Sequence, residues 1–173
     1  GAESIELHAG VPDDESTMKE WEVVSQSVPN GMISMCLDRK HLSNNMLLER
    51  IIEAHNIAED RLIIQADGIP MSGGTDDFNT TLQAVSIADF INKELKNKDK
   101  RFKDLPILIS GGTNSFTGEL ARQCDVKFNG ITIGTHARKI ISSKRAQPKN
   151  IELEDLIFAV NKAKTLIETN LFN

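Results

Sequence analysis

Three short apolar runs break, each at its carboxyl end, into small and polar residues: Leu62 to Ala66 into Asp67-Gly68, Ile107 to Ser110 into Gly111-Gly112-Thr113, and Ile131-Thr132-Ile133 into Gly134-Thr135. In α/β architectures the carboxyl ends of parallel strands form the rim on which ligands bind. The chemistry that these residue types support is anion binding. Glycine admits positive φ and carries no Cβ, so Gly111 and Gly112 with Thr113, and Gly134 with Thr135, can bring bare N–H groups against a phosphate or a flavin phosphate. The same glycines serve equally well as tight turns that start helices, and both readings stand. Arg138, one short turn beyond Thr135, either closes such a pocket or pairs with Glu119 or another surface carboxylate.

Asp67 has three readings: a general base, a hydrogen-bond acceptor for a ligand, or the organiser of its own loop, which Gly68, Pro70 and Gly73 shape tightly. Gln65, two residues earlier, points to the same side of its strand, the interior side if the sheet closes into a barrel. His8 occupies a similar strand-end position with Glu6 two residues before it, an arrangement for an interior Glu/His pair, while Asp38, Arg39 and His41 follow the second run and reach the rim or face water. The candidate ligand-binding residues are therefore Gln65, Asp67, Gly68, Gly111, Gly112, Thr113, Gly134, Thr135 and Arg138. There is no Ser/His/Asp order, H-E-x-x-H motif, phosphate-binding P-loop or dinucleotide fingerprint, so no catalytic residue and no metal ligand is assigned.

Five β-branched-rich runs must position these residues: Ser4 to His8, Met32 to Leu37, Leu62 to Ala66, Ile107 to Ser110 and Ile131 to Gly134. Between them the period is helical, with Met18, Trp21 and Val24 in Glu15 to Val24, Leu47, Leu48, Ile51 and Ile52 in Asn44 to His55, and Leu82, Val85, Phe90, Ile91 and Leu95 in Thr80 to Leu95. The spacing from one strand to the next suits a strand, a crossover helix and a parallel return. The charged stretch from Lys93 to Asp104 is a solvated helix end and loop. Ala137 to Ile141 starts a short helix and Ser142 to Pro148 forms a loop. Asn150 caps a last helix running through Thr169, whose stripe of Leu153, Leu156, Ile157, Val160 and Leu166 is expected to be buried.

An open doubly wound sheet and an eight-stranded barrel both accommodate this pattern. A run ending in Gly-Gly followed by one ending in Gly-Thr matches the paired last loops of a barrel, which often cradle a phosphate. The chain also opens almost directly in a strand pattern. The preferred fold is α/β with parallel βα repeats, the C-terminal portion, about five strands, of a (β/α)8 TIM-barrel-like fold. Residues 1–173 are then one domain, a fragment of a longer chain lacking its N-terminal strands. The order of the strands decides between the two architectures.

At 173 residues, 39% hydrophobic and 26% charged, the chain can bury a substantial core. Its net charge of −5 supplies no electrostatic reason to bind nucleic acid or an anionic membrane. No apolar run approaches the length of a spanning helix. The two cysteines, Cys36 and Cys124, lie in no metal-binding spacing and read as reduced thiols in a cytoplasmic setting.

The strings Gln65-Ala66-Asp67-Gly68-Ile69-Pro70-Met71-Ser72-Gly73, Ser110-Gly111-Gly112-Thr113-Asn114 and Gly134-Thr135-His136-Ala137-Arg138 resemble, in order, signatures of the light-dependent period protein A family in its C-terminal domain. The similarity runs from about Ala2 to Ile141 and departs at His136, where the family pattern has an aromatic residue. The resemblance implies a redox-sensing regulator found in oxygenic phototrophs, feeding light and redox state to the circadian clock through clock-associated or other regulatory proteins. It places ferredoxin-like cysteine motifs for [4Fe–4S] clusters ahead of this region, so no cluster is assigned to these residues.

Two functions follow. One is a non-catalytic regulatory domain attached to an iron–sulfur module, with a phosphate-type pocket. The other is a TIM-barrel enzyme or a protein binding flavin, as FMN, or a small phosphorylated ligand.

Overall fold

The computed structural model describes residues 3–68, 77–142 and 152–171. Five strands, β1 (Ile5–His8), β2 (Ile33–Leu37), β3 (Leu62–Asp67), β4 (Ile107–Ser110) and β5 (Gly130–Ile131), form a parallel sheet in the order β1-β2-β3-β4-β5. This order advances one step at a time in one direction. It lacks the reversal that creates the crevice of a doubly wound sheet.

Register determines which side chains share a face, because successive residues of a strand alternate and paired residues of parallel neighbours point the same way. Leu7, Met35, Ile64 and Ile107 are aligned, as are Leu37, Ala66, Ile109 and Ile131. These rows form the apolar face, and Ile33, Met35, Leu37, Leu62, Ile64, Ala66, Ile107 and Ile109 are all buried. The alternate rows carry the polar residues, with Ile63 and Leu108 among them: Glu6 lies level with Ser34 and Ile63, His8 with Cys36, Gln65 and Leu108, and Asp67 with Ser110.

Among the described residues, six α-helices accompany the strands: α1 (Asp14–Ser27), α2 (Asn44–Ala58), α3 (Asp77–Ile91), α4 (Thr117–Gln123), α5 (Thr135–Ser142) and α6 (Leu153–Asn170). Asp13 and Ser43 cap α1 and α2, accepting from the backbone N–H of Ser16 and Met46. Each such cap contributes about 1 kcal/mol. Trp21, fully buried, joins α1 to α2 by donating Nε1–H to the Ala54 carbonyl at 3.1 Å. Ala84, Val85, Ile87, Ala88 and Ile91 of α3 complete the core.

Several expectations change in detail. Asp67 is the last residue of β3 rather than the first beyond it, and β5 has only two residues, Gly130 and Ile131. The charged stretch after α3 contains a π-helical turn, Asn92–Lys96, and a 3-10 turn, Lys100–Phe102. Phe102 and Leu95 are buried beneath the charges, so one face of that stretch is core. The loop Ser72 to Thr75, residues 143–148 and Asn150 lie outside the described residues; Ser142 ends α5 rather than opening a loop, and the N-cap position of α6 is Glu152, which makes no side-chain cap.

The stripe of α6 is the main correction. Leu166 is buried, but Leu153, Leu156, Ile157 and Val160 are exposed. The helix is anchored at its C-terminal end instead. Asn170 Oδ1 accepts from the Gly118 N–H at 2.8 Å, and a Cβ on Gly118 would lie 2.9 Å from the Asn170 Cα. Helical periodicity correctly marks an apolar face, but it carries no information about whether a neighbour covers it.

Candidate functional site

The carboxyl ends of all five strands open into a cavity of about 430 Å³. Its wall over β1 to β3 is made by Glu6, His8, Cys36, Gln65 and Asp67. Its wall over β4 and β5 is made by Ser110 to Thr113, Thr132 to Thr135 and Arg138.

The loop after β1 is fixed by Arg50, a fully buried arginine of α2. Its guanidinium donates to the carbonyls of Ala9 and Val11, the latter at 2.6 Å, and to the carboxylate of Asp14. The chain immediately following His8 is thereby tied to α2. The loop after β4 is fastened from three sides. Thr80 Oγ1 donates to the Gly112 carbonyl at 3.1 Å, Thr113 Oγ1 donates to the Thr132 carbonyl at 2.5 Å, and the Asn114 N–H donates to Thr117 Oγ1 at 2.8 Å.

Glycine is required at two places in this rim. Gly111 has φ +60°, and a Cβ there would lie 1.7 Å from Asp67 Oδ1. At Gly68 a Cβ would meet the Gly111 carbonyl oxygen at 2.6 Å and backbone of α3 at 2.9 Å. Gly112, at φ +71°, continues the left-handed turn. The close approach of β3 and β4 at their ends therefore depends on absent side chains.

The first wall is dense in titratable groups. Gln65 donates Nε2–H to the Glu6 carboxylate and, at 3.0 Å, to Ser34 Oγ, which satisfies a buried amide. Cys36 on β2 and Asp67 on β3 interact electrostatically. Burial pushes the Cys36 thiol far up, and the neighbouring charges of Asp67 and Glu6 add to the shift, so this thiol stays protonated. Burial likewise raises Asp67, partly offset by the interaction with Cys36 and by the nearby His8. His8 Nδ1 stands 3.9 Å from Asp67 Oδ2, and its Nε2 stands 4.0 Å from Asp38 Oδ2.

On the opposite wall Arg138 Nη2 donates to Thr135 Oγ1 at 3.1 Å and lines the cavity beside Gly134. Ser110 Oγ accepts from Thr132 Oγ1 at 2.8 Å. His136 turns from the rim toward α4, its Nε2 3.0 Å from Ser115 Oγ.

Of the residues expected at the site, Gln65, Asp67, Gly111, Gly112, Thr113, Gly134, Thr135 and Arg138 line this cavity together. Gly68 opens instead into an adjoining cavity of about 540 Å³, shared with Asp38, Arg39 and Lys40. Arg39 itself lies over the Phe90 ring, 4.7 Å from its centroid, and His41 is exposed. Glu6 pairs with Gln65 rather than with His8. Cys36 joins the site without being singled out by its local sequence. The available signal is its register opposite His8 and Gln65, since those neighbours share its face.

A family model described as the light dependent period A C-terminal domain matches residues 1–169. The chain belongs to that family. No curated protein and no solved structure is significantly similar to it. The match covers every element of the sheet and α1 to α5, and it ends within α6. Family membership therefore spans both walls of the cavity. No helix among the described residues is long and apolar enough to cross a membrane.

Proposed function

We propose that this member of the light dependent period A C-terminal domain family is a non-catalytic regulatory domain whose cavity binds a small phosphorylated ligand, inorganic phosphate or FMN being its simplest representatives. The observation that carries the reading is the division of one cavity into two chemistries. Carboxylates lie over β1 to β3, while the Gly111-Gly112 turn, Gly134 and the Arg138 guanidinium lie over β4 and β5. A phosphate belongs at the second wall, where close backbone and a forked cation are available to its oxygens.

The sequential parallel order supports a further element of the proposal, that the sheet is the later part of a (β/α)8-like barrel with its polar face turned inward. In such a barrel the last two βα loops are a recurrent phosphate site. The regulator senses redox state through a [4Fe–4S] cluster held outside residues 1–173 and passes it to clock-associated or other regulatory proteins. Neither Cys36 nor Cys124 has cluster-binding spacing.

Calorimetric titration with inorganic phosphate and with FMN, in the presence of a chelator, tests the pocket. Saturable binding by the unaltered chain, weakened at least about tenfold in Arg138→Ala and Gly112→Asp, is the expected outcome. Absence of binding by the unaltered chain overturns the pocket reading. Anaerobic purification of the protein in its full natural length tests the redox role, which requires iron and a cluster absorption band. A colourless, iron-free protein ends it.

A further inference from the structure

We infer that the acidic wall of the cavity is a binding site for a single divalent transition-metal ion of zinc type, with His8, Cys36 and Glu6 as ligands and Asp67 within reach as the fourth. This goes beyond the phosphate reading and uses the opposite wall.

Donor type, mutual distance and the elements that hold the donors all point the same way. Glu6, His8 and Cys36 each offer a ligand atom within 4.8 Å of the others, and so do His8, Asp38 and Asp67. The two sets interlock at His8. A tetrahedral ion at the usual bond lengths, about 2.0–2.3 Å, separates its ligand atoms by about 3.3–3.7 Å, so the 3.9 Å between His8 Nδ1 and Asp67 Oδ2 needs only slight closure. Thiolate, imidazole and carboxylate together select a borderline-soft ion over calcium or magnesium, which prefer oxygen alone.

The donors stand on neighbouring rigid strands. Glu6 and His8 are alternate residues of β1, Cys36 is the register partner of His8 on β2, and Asp67 ends β3. Outer partners are also in place. Gln65, itself held by Ser34 Oγ, donates to the Glu6 carboxylate, and Asp38 Oδ2 stands 4.0 Å from the second ring nitrogen of His8. An imidazole placed between a carboxylate and an ion is the usual arrangement for a metal-binding histidine.

The electrostatics agree with this assignment. The carboxylates of Glu6, Asp67 and Asp38 around this wall would offset the charge of a bound dication, and coordination by Cys36 would release the thiol proton to solvent. His8 is 58% exposed, which leaves a path for the ion from the open mouth of the cavity.

Cobalt(II) is the probe, because a cysteine ligand gives a sulfur-to-metal charge-transfer band and a tetrahedral site gives intense visible bands. The titration is done without phosphate in a Cys124→Ser chain, so that Cys36 is the only thiol. It can then succeed or fail independently of the phosphate titration, which is done under chelation. Both bands should saturate at about one equivalent and vanish on addition of zinc. Cys36→Ser should lose the charge-transfer band, and His8→Gln should weaken binding at least about tenfold. His8→Gln alters a half-exposed side chain, so it decides the matter if circular dichroism shows Cys36→Ser unfolded. The site is overturned by absence of a charge-transfer band in the Cys124→Ser chain, or by unchanged cobalt affinity in His8→Gln.

Discussion

Asp67 and Gly111 occupy each other's space. The Asp67 carboxylate sits where a Gly111 side chain would begin, 1.7 Å from the ideal Cβ position, and Gly111 holds φ +60°. Gly111→Ala is expected to cost about 1–3 kcal/mol through backbone strain and to displace the Asp67 carboxylate. Urea unfolding measures the first effect. An alanine variant as stable as the unaltered chain would contradict this geometry.

Arg50 holds the loop that follows His8. Arg50→Ala removes a buried side chain and leaves the carbonyls of Ala9 and Val11 without their guanidinium donor. A loss of about 2–4 kcal/mol is expected from the cavity and the lost hydrogen bonds. The partner Asp14 is half exposed and finds water, so Asp14→Asn should cost much less. Equal losses in the two variants would argue against the loop-fastening role.

The two thiols differ in burial and in surroundings. Cys124 is exposed, whereas Cys36 is buried and its thiol is raised far above the ordinary cysteine range by burial and by Asp67 and Glu6. Because the thiolate is the reactive form, native protein at pH 8 should alkylate at Cys124 alone, and denaturant should expose the second thiol. Mass spectrometry after timed iodoacetamide treatment distinguishes them. Comparable labelling of both sites in the native state is the contrary result.

Asp67 should give the stability curve an unusual slope. Its carboxyl is raised in the folded state, so between the ordinary aspartate pKa and that raised value the folded protein binds more protons than the unfolded chain. Stability from this group is therefore greatest in acid and falls as pH rises through that window, opposite to a salt-bridged carboxylate. Asp67→Asn removes the titration. Its stability relative to the unaltered chain should climb with pH across the window, and parallel curves from urea unfolding at stepped pH would refute the assignment.

The exposed stripe of α6 should tolerate charge. Leu156→Lys and Ile157→Lys replace side chains that are more than half exposed and should change stability by no more than about 0.5 kcal/mol. Leu166→Ala, at a buried position of the same helix, should cost more. Thermal melts of the three variants compare them directly.

Much of the site is legible without any coordinates. Asp67, Gly111, Gly112, Gly134 and Thr135 stand out because apolar runs stop at them, and termination of a strand is a local event visible in composition. Gln65 follows from the period of two that ties it to Asp67. Other residues of the site have no such local mark. Cys36 lies inside an apolar run, where a thiol resembles any small core residue, and Arg50 lies on a helix among charges that are mostly solvated.

Taken alone, the sequence determined the approximate places of the parallel strands, the helices between the first four of them and the glycine-bearing ends, because periodicity and turn chemistry act over a few residues. Only the tertiary structure decided that the strands lie in sequential order, that Glu6, His8 and Cys36 join Asp67 along one wall, and that most of the α6 stripe remains uncovered. Those outcomes depend on register and on which surfaces meet, and both are set by packing among segments far apart in the chain.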